Sequence, residues 1–171
     1  MHQEVVDFLD KMKKIHAPLF AEAKNILEVG SLDINGSPRP YFPPEAKYVG
    51  LDWREGPGVD VVSLAHKYKG HPDASFDFVI STEMLEHDPH WKESVKRMIA
   101  LLAPAGNLLI TCAGPERAVH EAGCSPKKNY YKNITMPELV TVIFSQATFK
   151  GASIEDDAKA HDLRFFGWRK R

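Results

Sequence analysis

The chain has 171 residues, 43% apolar and 26% charged, which suits one globular domain with a buried core and leaves little room for a second. A formal net charge of -1 gives no general attraction to nucleic acid or anionic lipid, and no run of about 18 apolar residues exists to span a bilayer. Cys112 and Cys124 make neither a disulfide framework nor a zinc site, and an N-terminus carrying Glu4, Asp7 and Asp10 is no secretory signal, so a cytoplasmic protein is expected.

Val5, Phe8, Leu9, Met12, Ile15 and Leu19 recur at helical spacing and predict an amphipathic helix over residues 3–23. Asn25 to Gly30 is a short apolar run closed by glycine, read as a buried strand. Ser31 to Pro44 holds four prolines, so any helix there must be short. Lys47 to Asp52 repeats the strand pattern, and Val59 to Val62 gives a third short strand. A fourth is expected over Phe76–Thr82. Trp91, Val95, Met98, Ile99 and Leu102 then mark one face of a helix that stops before Pro104. Gly106 turns the chain into a strand over Leu108–Cys112. Residues 114–134 read as a long loop. Thr135 followed by Glu138 is a capping-box pattern opening a helix through Phe144. Strands near Ala152–Glu155 and Leu163–Trp168 end the chain. With no repeat, low-complexity tract or linker, residues 1–171 are expected to form one α/β domain around a parallel sheet covered on both faces.

Open parallel sheets bind ligands at the carboxyl ends of their strands, near the point where strand order reverses. Glu28-Val29-Gly30-Ser31 closes the first strand: glycine admits a ligand close to the backbone, and the acid can fix loop amides or a cationic ligand group. Asp52 closes the second, about twenty residues after Gly30, where a nucleotide-binding sheet places a carboxylate for a ribose diol. Trp53 follows and can lie against an adenine face. Taken singly, Asp52 reads equally well as a turn or cap residue and Trp53 as a core aromatic. Lys127, Lys128 and Lys132 beside Tyr130 and Tyr131 form the one candidate patch for nucleic acid, for which a solvated loop is the preferred reading.

The ordered segments Leu27-Glu28-Val29-Gly30-Ser31, Tyr48-Val49-Gly50-Leu51-Asp52, Gly56 to Val62, Ser75 to Glu83, Met84-Leu85-Glu86-His87 and Leu102-Ala103-Pro104-Ala105-Gly106 together resemble the class I S-adenosylmethionine-dependent methyltransferases, in particular the small group with a leucine-glutamate-histidine motif after the fourth strand. The resemblance spans Ile26 to about Thr111. It implies a Rossmann-like, doubly wound, mostly parallel sheet with its last strand antiparallel, and S-adenosylmethionine as cofactor. By the same resemblance Glu28, Gly30 and Ser31 line the methionine end, Asp52 holds the ribose hydroxyls and Trp53 flanks the adenine. The backbone around Ala65 and His66 meets the adenine edge, and Ser81, Thr82 and Glu83 lie beside the amino-acid part. Leu32 and Ile34 stand where glycines are usual, so the loop must take another path, although Asn35-Gly36-Ser37 and Arg39 resemble a variant of this motif in some members. Leu64 stands where a carboxylate often receives the adenine amino group, which leaves stacking and backbone contacts for that task.

A sulfonium methyl is already activated, so the protein's work is alignment and exclusion of water, with a base only where the acceptor must lose a proton. His87 is the first candidate for that base; His90, His120 and Glu83 follow. Glu83, Glu86, His87 and His90 match no strong metal motif and Pro89 interrupts them, so no metal is expected. Cys112 reads as a buried strand residue. Substrate choice is assigned to the N-terminal helix, residues 38–44 and the loop 114–134, with a small-molecule acceptor favoured. A nicotinamide oxidoreductase would need Gly-x-Gly-x-x-Gly opening a long helix, which this chain lacks; a non-catalytic subunit of the same fold is the alternative.

Overall fold

A computed structural model describes residues 1–120 and 124–171; residues 121–123, inside the loop expected over 114–134, lie outside the described residues. The elements are α1 (Gln3–Ile15), α2 (Ala17–Ala21), β1 (Asn25–Val29), β2 (Lys47–Asp52), β3 (Val61–Val62), β4 (Phe76–Thr82), α3 (Trp91–Leu101), β5 (Leu102–Ala113), α4 (Met136–Gln146), β6 (Phe149–Asp157) and β7 (Asp162–Lys170). The seven strands form one sheet in the order β3-β2-β1-β4-β5-β7-β6. The first five are parallel, while β7 runs antiparallel to both β5 and β6, the arrangement the resemblance implies.

Alternation along the central strands divides their apolar side chains between two cores. Leu27, Val79, Leu108, Ile110 and Phe165 face α3 and α4, meeting Trp91, Val95, Met98, Leu139 and Ile143. Ile26, Phe78, Ile80, Leu109 and Phe166 face the other way, onto Val5, Phe8, Leu9 and Met12 of α1, Phe20 of α2 and Phe42. The single helix expected over 3–23 is broken at His16. Pro18 has no amide hydrogen to give and its ring collides with the carbonyl one turn back, so a new helix starts with the proline in its first turn. The His16 ring packs instead on Trp168, 4.5 Å between centroids.

Between β1 and β2 the prolines leave only a 3₁₀ turn, Arg39–Tyr41, in place of a crossover helix. The expected strand Leu108–Cys112 begins earlier, at Leu102. Its register against β4 jumps from Phe76 opposite Leu102 to Phe78 opposite Asn107, so the Pro104–Gly106 turn bulges out of one continuous strand. The capping box at α4 is present in both directions, with the Thr135 amide donating to Glu138 Oε2 at 3.0 Å and the Glu138 amide to Thr135 Oγ1 at 3.4 Å.

Phe8 is 2% exposed and ties α1 to the sheet. Phe8→Ala is expected to cost about 3–5 kcal/mol, read as a fall in the urea midpoint with an unchanged slope.

Candidate active site

The chain leaves β1 toward β2 on one side and β4 toward β5 on the other, so the carboxyl ends of these strands frame a crevice. Gly30 makes the turn out of β1. Its φ is +82°, and a Cβ added there would lie 2.6 Å from both Cβ and Cγ of Met84, so only glycine lets the loop after β4 close against it. The Gly30 and Ser31 amides both donate to the Leu51 carbonyl, at 2.8 and 3.1 Å, which ties the tips of β1 and β2 together. The loop beyond follows its own path: Asp33 Oδ1 accepts from the Gly36 amide at 2.7 Å, and the Asp33 amide donates to the Pro57 carbonyl at 2.9 Å.

An open cleft of about 750 Å³ lies over these tips, lined among others by Met1, His2, Glu28, Gly30, Asp52, Trp53, Thr82, Glu83, Met84, His87 and His120. An apolar recess of about 360 Å³ adjoins it, walled by Val29, Leu51, Leu64, Ala65 and Pro126. The two share Gly30, Asp52, Trp53, Met84, His87 and Cys124. Asp52 therefore stands at the joint between a polar and an apolar compartment. It is 8% exposed; its Oδ2 accepts from the Leu32 amide at 3.3 Å and its Oδ1 from the Arg54 amide at 3.1 Å. Burial raises its pKa, opposed by those amides.

Glu28 is 3% exposed and receives the Tyr48 hydroxyl at 2.9 Å and the Ser37 hydroxyl at 3.3 Å on Oε2. Burial outweighs both hydrogen bonds and pushes its carboxyl up to about 7. The Arg39 guanidinium caps Tyr48, 4.3 Å above the ring, while pairing with Asp60 at 2.8 Å.

Glu83, just past β4, has a φ of +53° and points its carboxylate at β5 and the N-terminus. Oε1 accepts from Thr111 Oγ1 at 2.8 Å and Oε2 meets His2 Nε2 at 2.9 Å. Burial opposes the Glu83 charge, but the His2 hydrogen bond, the His2 charge, Thr111 and Arg117 together hold it below the ordinary value, and the Glu83 bond in turn raises His2. Arg117 Nη2 also lies 2.9 Å from His2 Nε2. One ring nitrogen cannot donate to Glu83 and accept from Arg117 together, so the carboxylate takes the hydrogen and Arg117 is a close neighbour anchored instead on Asp162, at 2.7 Å.

Of the residues expected from sequence, Glu28, Gly30, Asp52, Trp53, Thr82, Glu83 and His87 all line the cleft, and Ala65 lines the recess. Three do not. Ser31 is 1% exposed, turned inward by its amide bond to Leu51. Ser81 is fully buried, since alternation along β4 sends it to the Val79 side and Thr82 to the other. The His66 ring packs at a tilt on His90, 4.3 Å between centroids, outside both compartments. Trp53 is oriented by its indole, which donates to the Cys124 carbonyl at 3.0 Å. Met84, within the Met84-Leu85-Glu86-His87 motif, lines both compartments and packs against Gly30. His2 and Arg117 carry no sequence signal, because their place depends on how α1 and the loop after β5 fold back.

The Glu28 shift fixes a pH dependence. The unfolded chain gives up this proton near the ordinary value of 4.5 and the folded chain near 7, so stability falls as pH rises between them and levels off above. The loss amounts to about 3 kcal/mol. In urea unfolding at pH about 5 and about 8, Glu28→Gln is expected to lack this component of the decline; an unaltered slope would show that Glu28 titrates normally.

Residues 4–163 match the family described as methyltransferase domain, while no curated protein matches the chain by sequence. Among solved structures, the chain is similar to Burkholderia thailandensis 1,6-didemethyltoxoflavin-N1-methyltransferase, crystallised with 1,6-didemethyltoxoflavin and S-adenosylhomocysteine (TM-score 0.68, 19% identity, 95% of this chain and 78% of that one). It is similar also to a SAM-dependent methyltransferase from Archaeoglobus fulgidus (TM-score 0.67, 17% identity, 99% and 95%). The [4+2]-cyclase SpnF shares the fold too, at TM-score 0.63 and 12% identity over 86% of this chain and 58% of that one, so the fold by itself does not fix the chemistry. The family match does: it spans nearly the whole chain, which belongs to the methyltransferase domain family of class I, S-adenosylmethionine-dependent enzymes.

Proposed function

We propose that the chain, working as a single cytoplasmic domain, transfers the methyl group of S-adenosylmethionine to an oxygen or nitrogen atom of a small-molecule acceptor. The observation that carries this reading is Asp52, a buried carboxylate at the junction of the polar cleft and the apolar recess. A nucleoside needs that juxtaposition: an acceptor pair for the ribose hydroxyls beside a slot for the base. The donor set fits the rest of the cofactor. Leu64 and Ala65 wall a slot suited to a purine held by packing, Trp53 flanks it, and the His66 contribution is confined to its backbone. Glu28 and Glu83 supply acidic side chains to the cleft for a ligand bearing positive charge. Ser31 and Ser81 support the floor from below.

When bound, S-adenosylmethionine supplies an electrophilic methyl group that needs no further activation. The chain's own residues bind, orient and exclude water. In this reading His87 acts on the acceptor, supported by its position on the 3₁₀ turn Leu85–His87 where it lines both compartments. The rims, formed by His2 and the loop carrying His120, select it. The Burkholderia neighbour, crystallised with a small heterocyclic compound, supports an acceptor of that size.

Two measurements test the reading. Asp52→Ala is expected to weaken S-adenosylhomocysteine binding at least about tenfold in calorimetry, in line with loss of charge-assisted hydrogen bonds; unchanged affinity removes the ribose assignment. His87→Ala is expected to depress S-adenosylhomocysteine release across a panel of small hydroxy and amino compounds while its affinity for the cofactor product holds. Intact turnover would make His87 structural.

A further inference from the structure

Glu86 has no part in the reading above, yet it is wholly buried on the same 3₁₀ turn as His87. The amides of Glu86 and Ala113 face its carboxyl group, but among the described residues neither oxygen has a well-formed hydrogen bond. A carboxyl group shut away from water in this manner is costly and calls for a proton, a water or an ion beside it.

Two imidazoles converge on the same point. A carboxylate oxygen of Glu86 and one ring nitrogen each from His87 and His120 lie within 4.8 Å of one another, and His120 Nε2 is 4.0 Å from Glu86 Oε1. His120 is oriented from behind. Its Nδ1 lies 3.0 Å from the Ala118 carbonyl and 3.2 Å from the Tyr131 hydroxyl; the carbonyl can only accept, so the hydrogen on Nδ1 is given to it and the Nε2 lone pair is left on the Glu86 side. Tyr131 packs edge-on against both rings at 5.2 Å, holding them in place. Both histidines also line the open cleft, which gives an ion a path in and a vacant position facing any acceptor.

We propose that Glu86, His87 and His120 form a binding site for a divalent transition-metal ion, with Zn²⁺ the best match. Two imidazoles and one carboxylate with an open fourth position suit that ion, whereas Mg²⁺ prefers an all-oxygen shell. Tetrahedral ligands on zinc stand about 3.4 Å apart, so the three ligand atoms, which lie within 4.8 Å of one another, draw together on binding. Helical spacing along the sequence gives no metal motif, and His90 packs on His66 instead; the third ligand, His120, arrives from beyond β5.

The role of the ion rests on the methyl-transfer reading; its binding does not. In that role the ion lowers the pKa of an acceptor hydroxyl, which gives its proton to water. The oxygen then forms its bond to the methyl carbon as the carbon–sulfur bond breaks and its electron pair stays on sulfur. His87 serves as a ligand in this scheme, and the acceptor is narrowed to a hydroxyl compound.

Metal-stripped protein titrated with Zn²⁺ in a calorimeter, and with Co²⁺ by visible absorption, decides the matter. One ion per chain is expected, with the visible bands of a cobalt site having nitrogen ligands. Glu86→Gln and His120→Ala should each weaken Zn²⁺ at least about a hundredfold, with S-adenosylhomocysteine still raising the melting temperature as in the parent. Should Glu86→Gln fail to fold, the partly exposed His120→Ala decides alone. Absence of stoichiometric binding, or affinity unmoved in the variants, overturns the site. Zinc binding without any response to S-adenosylhomocysteine would keep the site and remove the role assigned to it.

Discussion

The parallel pairing of β1 with β4 sets the position of every side chain around the cleft. Each strand delivers its carboxyl end to the same edge, and the connections then part, one toward β2 and one toward β5. A gap opens where no backbone crosses. The strand tips are joined by few bonds: Gly30 and Ser31 onto Leu51, and the contact of Gly30 with Met84. These are short-range and unforgiving, since a single added methyl at position 30 would drive the loop after β4 away. What the cleft gains is a floor of backbone, fixed before any ligand arrives.

The first connection is unusual for a doubly wound sheet because it carries no crossover helix. Prolines between Ser31 and Pro44 prevent one, and the face left open is covered by α1 and α2 from before β1 together with Phe42 of the connection itself. The N-terminus is thereby drawn across the sheet to the site, where His2 meets Glu83. The same prolines that bar a helix account for the approach of the chain's first residues to the cleft.

Much of this was legible in the sequence because the signals are local. The continuous apolar runs of β1 and β4 and of β5 beyond Gly106, buried on both faces, the Thr135–Glu138 cap and the carboxylate after β2 depend on neighbours along the chain, and several of the residues lining the cleft lie at the strand ends. The break at His16 was missed because the apolar rhythm continues across it while Pro18 overrides the rhythm through a steric clash. Ser31 and Ser81 are buried away from the cleft, which a motif does not reveal because it gives position along a strand and not which way the side chain turns. The Glu86, His87 and His120 cluster was hidden for another reason. It joins a 3₁₀ turn to a loop more than thirty residues away, and only the folded sheet measures that distance.

Glu28 has a consequence for the traffic of charge through the site. Burial pushes this carboxyl group up to about 7, so it holds its proton far more readily than an exposed glutamate. Arrival of a positively charged donor would draw it into the ionised form and send its proton out to the buffer. The pocket would thus exchange one cation for another, keeping its electrostatic balance as it fills, and departure of the neutral spent cofactor would be accompanied by proton uptake.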